Sequence, residues 1–135
     1  MVVDDFEAFR DSVISMVPTM PQLQVVGVAS DGLEAVRKAR ELQPDLILLD
    51  IQLPGQNGFQ AARQIRQIAP NCKIIFLTQE TSADVVQEAL RLGARGYVAK
   101  ISAGRDLLAA VEAVLADKQF VSSSLSPHNF THSDD

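Results

Sequence analysis

Five short apolar runs, set at a regular interval, constrain what this chain can fold into more than any other feature of its sequence. The runs lie near residues 1 to 3, 23 to 29, 46 to 49, 74 to 77 and 96 to 99, about 20 to 25 residues apart. That interval accommodates one helix and two loops, which is the rhythm of alternating strands and helices. The pattern therefore predicts five strands and five helices in an α/β fold.

The composition of the runs predicts how the strands pair. The runs at 46 to 49 and 74 to 77 are apolar at every position, which is typical of strands covered by helices on both faces. Such strands form a parallel sheet, and right-handed crossovers leave few topologies for it. We expect a flavodoxin-like (βα)5 three-layer sandwich whose parallel five-stranded sheet has the order 2-1-3-4-5.

Residues that end or cap helices stand between the runs. Pro18, Pro44 and Pro70 follow segments of helical apolar spacing, and Gly93 stands where a glycine commonly ends a helix. The candidate N-caps are Ser30 or Asp31, Asn57, Thr81 or Ser82, and Ser102.

Length and composition indicate one globular domain and a tail. The 135 residues, 47% of them hydrophobic, suffice for one well-buried core. We place the domain at residues 1 to 120. Residues 121 to 135 are rich in Ser, Asn, His and Asp without periodicity, which predicts a polar linker or tail.

Charge and hydropathy exclude several classes of function. A net charge of −5 and the lack of any Lys/Arg run argue against a nucleic-acid or membrane surface on this domain. No apolar stretch approaches the roughly 20 residues of a membrane span, and no secretory signal is evident. We therefore expect a cytoplasmic location, where the single Cys72 is a reduced structural thiol.

The polar residues that end the runs predict a site. Asp4 and Asp5 follow the first run, Asp50 follows the third, Thr78 ends the fourth and Lys100 follows the fifth. In an open parallel sheet these positions share the carboxyl edge, where ligands bind. Three carboxylates that lie close together repel one another unless a cation neutralises them, and Mg²⁺ is the hard ion suited to carboxylate oxygens and a phosphate.

These residue types suit phosphoryl transfer to a carboxylate. Asp50 would attack phosphorus as nucleophile while the metal and the Lys100 ammonium offset the developing charge. The alternative for Asp4 and Asp5 taken alone is a helix N-cap with a favourable dipole interaction. Thr78 and Lys100 taken singly are weak signals, so their joint placement at strand ends is the argument.

Four motifs carry a family resemblance that runs from about Val2 to Phe120. They are VVDDFEAFR, PDLILLDIQLPGQNG, IIFLT and ALRLGARGYVAK. The chain resembles a response-regulator receiver domain of two-component signalling. Ile101 after Lys100 and the ending LLAAVEAVLADKQFVS are similar to the branch that precedes LuxR-type helix-turn-helix effectors (NarL/FixJ-like).

The resemblance implies roles for the acidic residues. Asp50 is phosphorylated by a sensor histidine kinase or a small phosphodonor. Asp5, Asp50 and the backbone carbonyl of Gln52 ligate Mg²⁺, and Asp4 assists through water. The first strand has three residues before the acidic pair, fewer than is usual in that family.

The resemblance also implies a switch. Thr78 and Lys100 contact the phosphoryl group, and Thr78 with Tyr97 switches the face formed by the fourth helix, fifth strand and fifth helix. Gln79 stands where many receivers carry a small residue, and its bulk would restrict access to the phosphoryl group. The implied partners are the kinase, a second copy bound through that face or another receiver face, and DNA through an effector domain outside this sequence.

Two other functions remain open. A haloacid-dehalogenase-like phosphohydrolase also uses a nucleophilic Asp, Mg²⁺, a hydroxyl and a Lys, but needs an acid/base Asp where this chain has Gln52. Gln52 cannot deprotonate an attacking water, so a phosphoaspartate in this chain would be long-lived. A long-lived phosphoaspartate suits a signal better than an enzyme. The third possibility is a docking domain that works without phosphorylation.

Overall fold

The computed structural model describes residues 1–79 and 82–122. Its helices are α1 (Glu7–Met16), α2 (Gly32–Leu42), α3 (Gly58–Ile68), α4 (Ala83–Arg91) and α5 (Ala103–Leu115). Its strands are β1 (Val2–Val3), β2 (Val28–Ala29), β3 (Leu46–Leu49), β4 (Lys73–Thr78), β5 (Gly96–Ala99) and β6 (Phe120–Val121). The chain forms two compact units, Met1–Cys72 and the part from Lys73 onward.

The first unit is built on three parallel strands in the order β2-β1-β3. Val2 pairs with Val28 on one side and with Leu48 on the other. The strands are buried, as the consecutive apolar residues predicted. Helix α1 packs on β1, and α2 packs on α3.

The second unit has three parallel strands in the order β4-β5-β6. Phe76 pairs with Tyr97, and Tyr97 pairs with Val121. Helix α5 packs on β4 and β5 through a buried face made up of Ala103, Asp106, Leu107, Ala110, Val111 and Val114.

The prediction of a five-stranded sheet in the order 2-1-3-4-5 is wrong. The described residues form six strands, ordered 2-1-3 in the first unit and 4-5-6 in the second. The sequence missed β6 because Phe120–Val121 has only two residues, both half-buried, and lies where the composition turns polar. Main-chain hydrogen bonds to β5 hold it, and these leave no side-chain pattern. The five helices and the parallel pairing are confirmed.

Most predicted caps are confirmed. Asp31 caps α2, Ser82 caps α4, and Asn57 and Gln60 form a capping box at α3. Gly93 follows the end of α4 with φ 85°, a conformation that favours glycine. Ser102 precedes α5 but makes no side-chain cap hydrogen bond.

Some predictions fall at the limits of the described residues. Thr81 and residues 123–135 lie outside them, so a linker over residues 123–135 stays a prediction. Of the first two residues of the predicted linker, Val121 belongs to β6 and Ser122 is buried. Among the described helices, none has the length and apolar character required to cross a membrane.

Candidate functional site

Three carboxylates meet at one end of the first unit. Asp4 and Asp5 follow β1, and Asp50 follows β3. Because Val3 lies opposite Leu49 in the parallel pair, the residues after both strands emerge at the same edge. One carboxylate oxygen from each Asp lies within 4.8 Å of the other two. The structure thus brings together the predicted acidic group.

The burial of the three carboxylates differs. Asp4 and Asp50 are 2% and 4% exposed, whereas Asp5 is exposed. The Phe6 N–H donates to Asp4 Oδ1 over 2.9 Å, and the Gln52 N–H donates to Asp50 Oδ1 over 3.2 Å. These bonds orient the two buried carboxylates, while the cluster opens to solvent at Asp5.

The acidic pair does not cap α1. The N-cap of that helix is Phe6, which makes no side-chain cap hydrogen bond. Asp4 instead bonds the N–H of Phe6 itself. The part of the alternative that makes Asp4 or Asp5 the N-cap of α1 is therefore wrong.

Arg10 is a residue near the cluster that sequence reasoning missed. Its Nη1 donates to the main-chain oxygen of Asp4 over 3.1 Å and to Ser30 Oγ over 2.7 Å. Its side chain is 14% exposed, and its Nη2 lies 3.7 Å from a carboxylate oxygen of Glu7. Arg10 therefore ties together the segments that follow β1 and β2. The sequence signal for Arg10 was its spacing of three residues from Glu7, which is typical of an ion pair on a helix.

Two glycines hold the loop that follows Asp50. A Cβ on Gly58 would lie 2.2 Å from the main-chain oxygen of Asp50, and a Cβ on Gly32 would lie 2.1 Å from that of Gln56. The Gly58 N–H also donates to the Ile51 oxygen over 2.7 Å. Only glycine permits both approaches, which fix where the loop runs after the acidic residue.

Thr78 and Lys100 lie in the second unit, at the ends of neighbouring strands. Thr78 is the last residue of β4 and pairs with Ala99, the last residue of β5. Lys100 follows directly and begins a 3-10 turn. Thr78 is fully buried and Lys100 half-buried. The register places the hydroxyl-bearing and ammonium-bearing residues at one carboxyl edge, as predicted for these two strands.

The predicted switch residue Tyr97 is fully buried. Its ring centroid lies 6.3 Å from that of Phe76, with the ring planes inclined by 54°, a favourable tilted arrangement. Gln79, which follows Thr78, is exposed.

The donor set of the acidic cluster fits Mg²⁺. Its ligand atoms are carboxylate oxygens, which hard divalent cations prefer, and Mg²⁺ commonly binds through one or two such groups while keeping waters. The exposed Asp5 leaves the cluster open to solvent on one side, so that water can reach a bound ion there. The main-chain carbonyl of Gln52 as a further ligand stays a prediction.

Comparison with known proteins identifies relatives. The family described as the response regulator receiver domain matches residues 1–112. The response regulator GacA of Pseudomonas viridiflava is 32% identical over 126 residues, which are 93% of this chain and 59% of GacA. The nitrate/nitrite response regulator NarL of Escherichia coli K12 is 33% identical over 94% of this chain and 59% of NarL. The chain thus spans about three fifths of the length of these relatives.

A solved structure agrees with these matches. The two-component response regulator of the LuxR family from Aurantimonas sp. SI85-9A1 superposes with a TM-score of 0.92 at 32% identity. The match covers 100% of this chain and 96% of that one.

Proposed function

Because the chain belongs to the response regulator receiver domain family, we propose that it receives a phosphoryl group on Asp50 and passes the resulting change to an output. The observation that carries this proposal is the acidic cluster, whose three carboxylates converge within 4.8 Å. Asp50 is the member at the end of the buried strand β3. A docking domain that worked without phosphorylation would have no need of this grouping.

The phosphodonor in the proposal is a sensor histidine kinase or a small acyl phosphate. In the transfer from a kinase, an Asp50 oxygen forms the new P–O bond while the P–N bond to the kinase histidine breaks. The electron pair of that bond stays with the histidine nitrogen. The Gln52 N–H bond to Asp50 Oδ1 fixes the carboxylate, which lowers the entropic cost of attack.

Mg²⁺ would be held by Asp5 and Asp50 with the Gln52 carbonyl, and by Asp4 through water. When bound, it supplies positive charge that offsets the negative charge of the carboxylates and the phosphoryl oxygens. Arg10 keeps the Asp4 main chain in place through its 3.1 Å hydrogen bond, so it supports the cluster from α1.

Thr78 and Lys100 are the proposed phosphoryl contacts of the second unit. The Lys100 ammonium would pair with a phosphoryl oxygen, and the Thr78 hydroxyl would donate to another. A hydrogen bond to a charged group contributes about 1.5 to 3 kcal/mol, which suffices to bias a local conformation. Gln79, exposed beside Thr78, would limit the access of water and so prolong the phosphorylated state.

Thr78 and Tyr97 are the proposed switch. A ring that turns inward when Thr78 moves would occupy a buried position, and Tyr97 has that position here, against Phe76. We therefore propose that phosphorylation stabilises the inward ring over an outward conformer. Helices α4 and α5 contact β5, so the change would reach the surface of this unit.

That surface is the proposed protein contact. Ile101, just before α5, and Leu108, within it, are apolar yet 93% and 42% exposed, so they are the apolar side chains that a partner on this face would cover. A second copy of the chain would bind there or through another face of the domain. We propose that the output is transcriptional and that DNA would be contacted only through an effector domain outside this sequence.

The direct test is phosphorylation by acetyl phosphate with Mg²⁺, followed by intact mass spectrometry. Wild type should gain one phosphoryl group and Asp50→Ala none. The matched control is Asp45→Asn, because Asp45 is an exposed carboxylate at the opposite end of the same strand. This variant should be phosphorylated like wild type.

Two results would contradict the proposal. Phosphorylation of Asp50→Ala would place the acceptor elsewhere, and an unmodified wild-type protein would favour the docking domain. Turnover of a panel of phosphomonoesters would instead favour the phosphohydrolase.

The switch has its own probe because the chain contains one Tyr and no Trp. Phosphorylation should reduce the quenching of Tyr97 fluorescence by acrylamide, since the inward ring becomes more populated. In Thr78→Ala, phosphate should still be accepted while the change in quenching is lost. Equal responses in the two proteins would refute the coupling.

A further inference from the structure

The end of β5 is fastened to the chain that follows α5 by a buried serine. Ser122 has no exposed surface. Its main-chain N–H donates to the Tyr97 oxygen over 2.9 Å. Its hydroxyl oxygen accepts from the Ala99 N–H over 3.2 Å. Ser122 thus bonds β5 on both sides of Val98.

The serine hydroxyl also donates to a buried carboxylate. It hydrogen-bonds Asp106, and Arg105 bonds both oxygens of that carboxylate over 2.9 and 3.3 Å. A hydroxyl can donate once and accept, so Ser122 serves the N–H and the carboxylate together. We call Ser122, the Ala99 N–H, Asp106 and Arg105 the Ser122 latch.

Asp106 is a polar residue at a core position of α5. It lies on the buried face of the helix, where an unpaired carboxylate would be costly. The Arg105 hydrogen bonds foremost, and the Ser122 hydroxyl after them, hold the pKa of Asp106 below its ordinary value, although burial acts to raise it. The carboxylate is therefore charged at neutral pH, which strengthens its bond to the hydroxyl.

The latch lies next to the residues that we propose to contact the phosphoryl group or to act as the switch. Ala99 pairs with Thr78, and Lys100 is the next residue. Tyr97, whose main-chain oxygen accepts from Ser122, carries the proposed switch ring. Ser122 itself lies beyond residue 112, where the family match ends.

We propose that Ser122 is a positioning residue for Lys100, and that its latch couples phosphorylation of Asp50 to the pairing of Ser122 and β6 with β5. A phosphoryl group that holds Lys100 orders the end of β5 and so favours the closed latch. An open latch leaves both Lys100 and β6 less restrained. The coupling rests on the proposed function, whereas the latch itself does not.

The latch is tested first without phosphate, by amide hydrogen exchange measured by NMR on the 135-residue chain. Ser122→Ala should speed the exchange of the Ala99 amide by about fivefold to tenfold, since one hydrogen bond is lost. Asp106→Asn, which keeps an acceptor for the hydroxyl but loses the charge, should give a smaller increase. The control is Ser102→Ala, because Ser102 precedes α5 without a side-chain cap bond. Its Ala99 exchange should match wild type.

The coupling is tested with Mg²⁺ and beryllofluoride as the phosphoryl mimic. In wild type, the mimic should slow exchange of the Ser122 amide by about fivefold. Coupling between two sites is reciprocal, so Ser122→Ala should weaken binding of the mimic by a similar factor. A variant that was merely less stable would bind the mimic normally at temperatures well below its unfolding transition.

Each result decides a separate part. Unchanged Ala99 exchange in Ser122→Ala would overturn the latch. Mimic binding that leaves the Ser122 amide unaffected in wild type would overturn the coupling alone. If wild type bound no mimic and accepted no phosphate, the proposed function and the coupling would both fall, and the exchange data would still decide the latch.

Discussion

The Lys73 ammonium nitrogen lies 2.8 Å from Asp117 Oδ1 and joins the start of β4 to the turn after α5. The same nitrogen donates to the main-chain oxygen of Val114 over 3.2 Å. Asp117 has φ 62°, a left-handed conformation that Asp and Asn tolerate better than most residues. Lys73 thus forms an ion pair with Asp117 and also bonds a main-chain oxygen at the end of α5.

This pair predicts a pH dependence of stability. The Lys73 hydrogen bond and charge lower the pKa of Asp117 from its ordinary 3.8. A lowered carboxyl pKa contributes stability above the unfolded value, and that contribution is lost as pH falls through the folded value. Asp117→Asn should therefore be less stable than wild type at pH 7, and the difference should shrink as the pH falls below about 4 toward the lowered pKa of Asp117. Urea unfolding from pH 7 down to pH 3 measures it, and parallel curves would contradict the prediction.

The capping box of α3 predicts a specific loss of stability. Asn57 Oδ1 accepts from the Gln60 N–H over 2.9 Å, and Gln60 Oε1 accepts from the Asn57 N–H over 3.0 Å. Asn57→Ala should reduce the free energy of unfolding by about 1 kcal/mol. Asn57→Asp keeps the acceptor and should stay near wild type. Chemical denaturation distinguishes them, and equal losses in both variants would show that the cap is not the cause.

Gly32 and Gly104 predict opposite effects of the same substitution. Gly32→Ala would place a Cβ 2.1 Å from the Gln56 oxygen, whereas a Cβ on Gly104 meets no atom within 4 Å. We expect Gly32→Ala to cost about 1 to 3 kcal/mol, because the loop after Asp50 must shift. Gly104→Ala lies in α5 and should stabilise by up to about 1 kcal/mol. Thermal unfolding tests both, and a neutral Gly32→Ala would show that this approach is not tight in solution.

Cys72 should be unreactive in the folded protein. Burial raises the pKa of its thiol to about 12, so at pH 8 the thiolate is about one part in ten thousand. Alkylation by iodoacetamide, followed by mass spectrometry, should be slow in native buffer and fast in urea. Rapid modification of the native protein would contradict the structural role that the sequence predicts.

Loss of Asp5 should weaken the proposed Mg²⁺ site. Asp5 belongs to the acidic cluster, and removal of groups that support a metal commonly lowers affinity by about tenfold or more. Asp5→Asn should show this by titration calorimetry with Mg²⁺. Asp11→Asn, which removes an exposed carboxylate of α1 outside the cluster, is the control. Equal affinity in both variants would argue against the site.

The elements that local signals specify were predictable from the sequence. The consecutive apolar residues of β3 and β4, the N-caps Asp31 and Asn57, and the glycine that follows α4 all lie as expected. Capping, periodicity and the burial of apolar runs depend on residues close in the chain, and this is why they can be predicted from the sequence. The convergence of Asp4, Asp5 and Asp50 was also predictable. The carboxyl ends of parallel strands lie at the same edge of a sheet, so residues that follow β1 and β3 must lie close together.

Other features depended on contacts between distant residues. Strand β6 exists through main-chain bonds to β5, and Ser122 is buried through Ala99 and Asp106, 23 and 16 residues away. Arg10 reaches Ser30 across 20 residues. No local pattern encodes such partners. The sequence by itself determined the elements and the edge at which the acidic residues emerge. Only the tertiary structure decided which polar groups pair and where the sheet ends, because hydrogen bonds between distant segments depend on position in space and not on spacing along the chain.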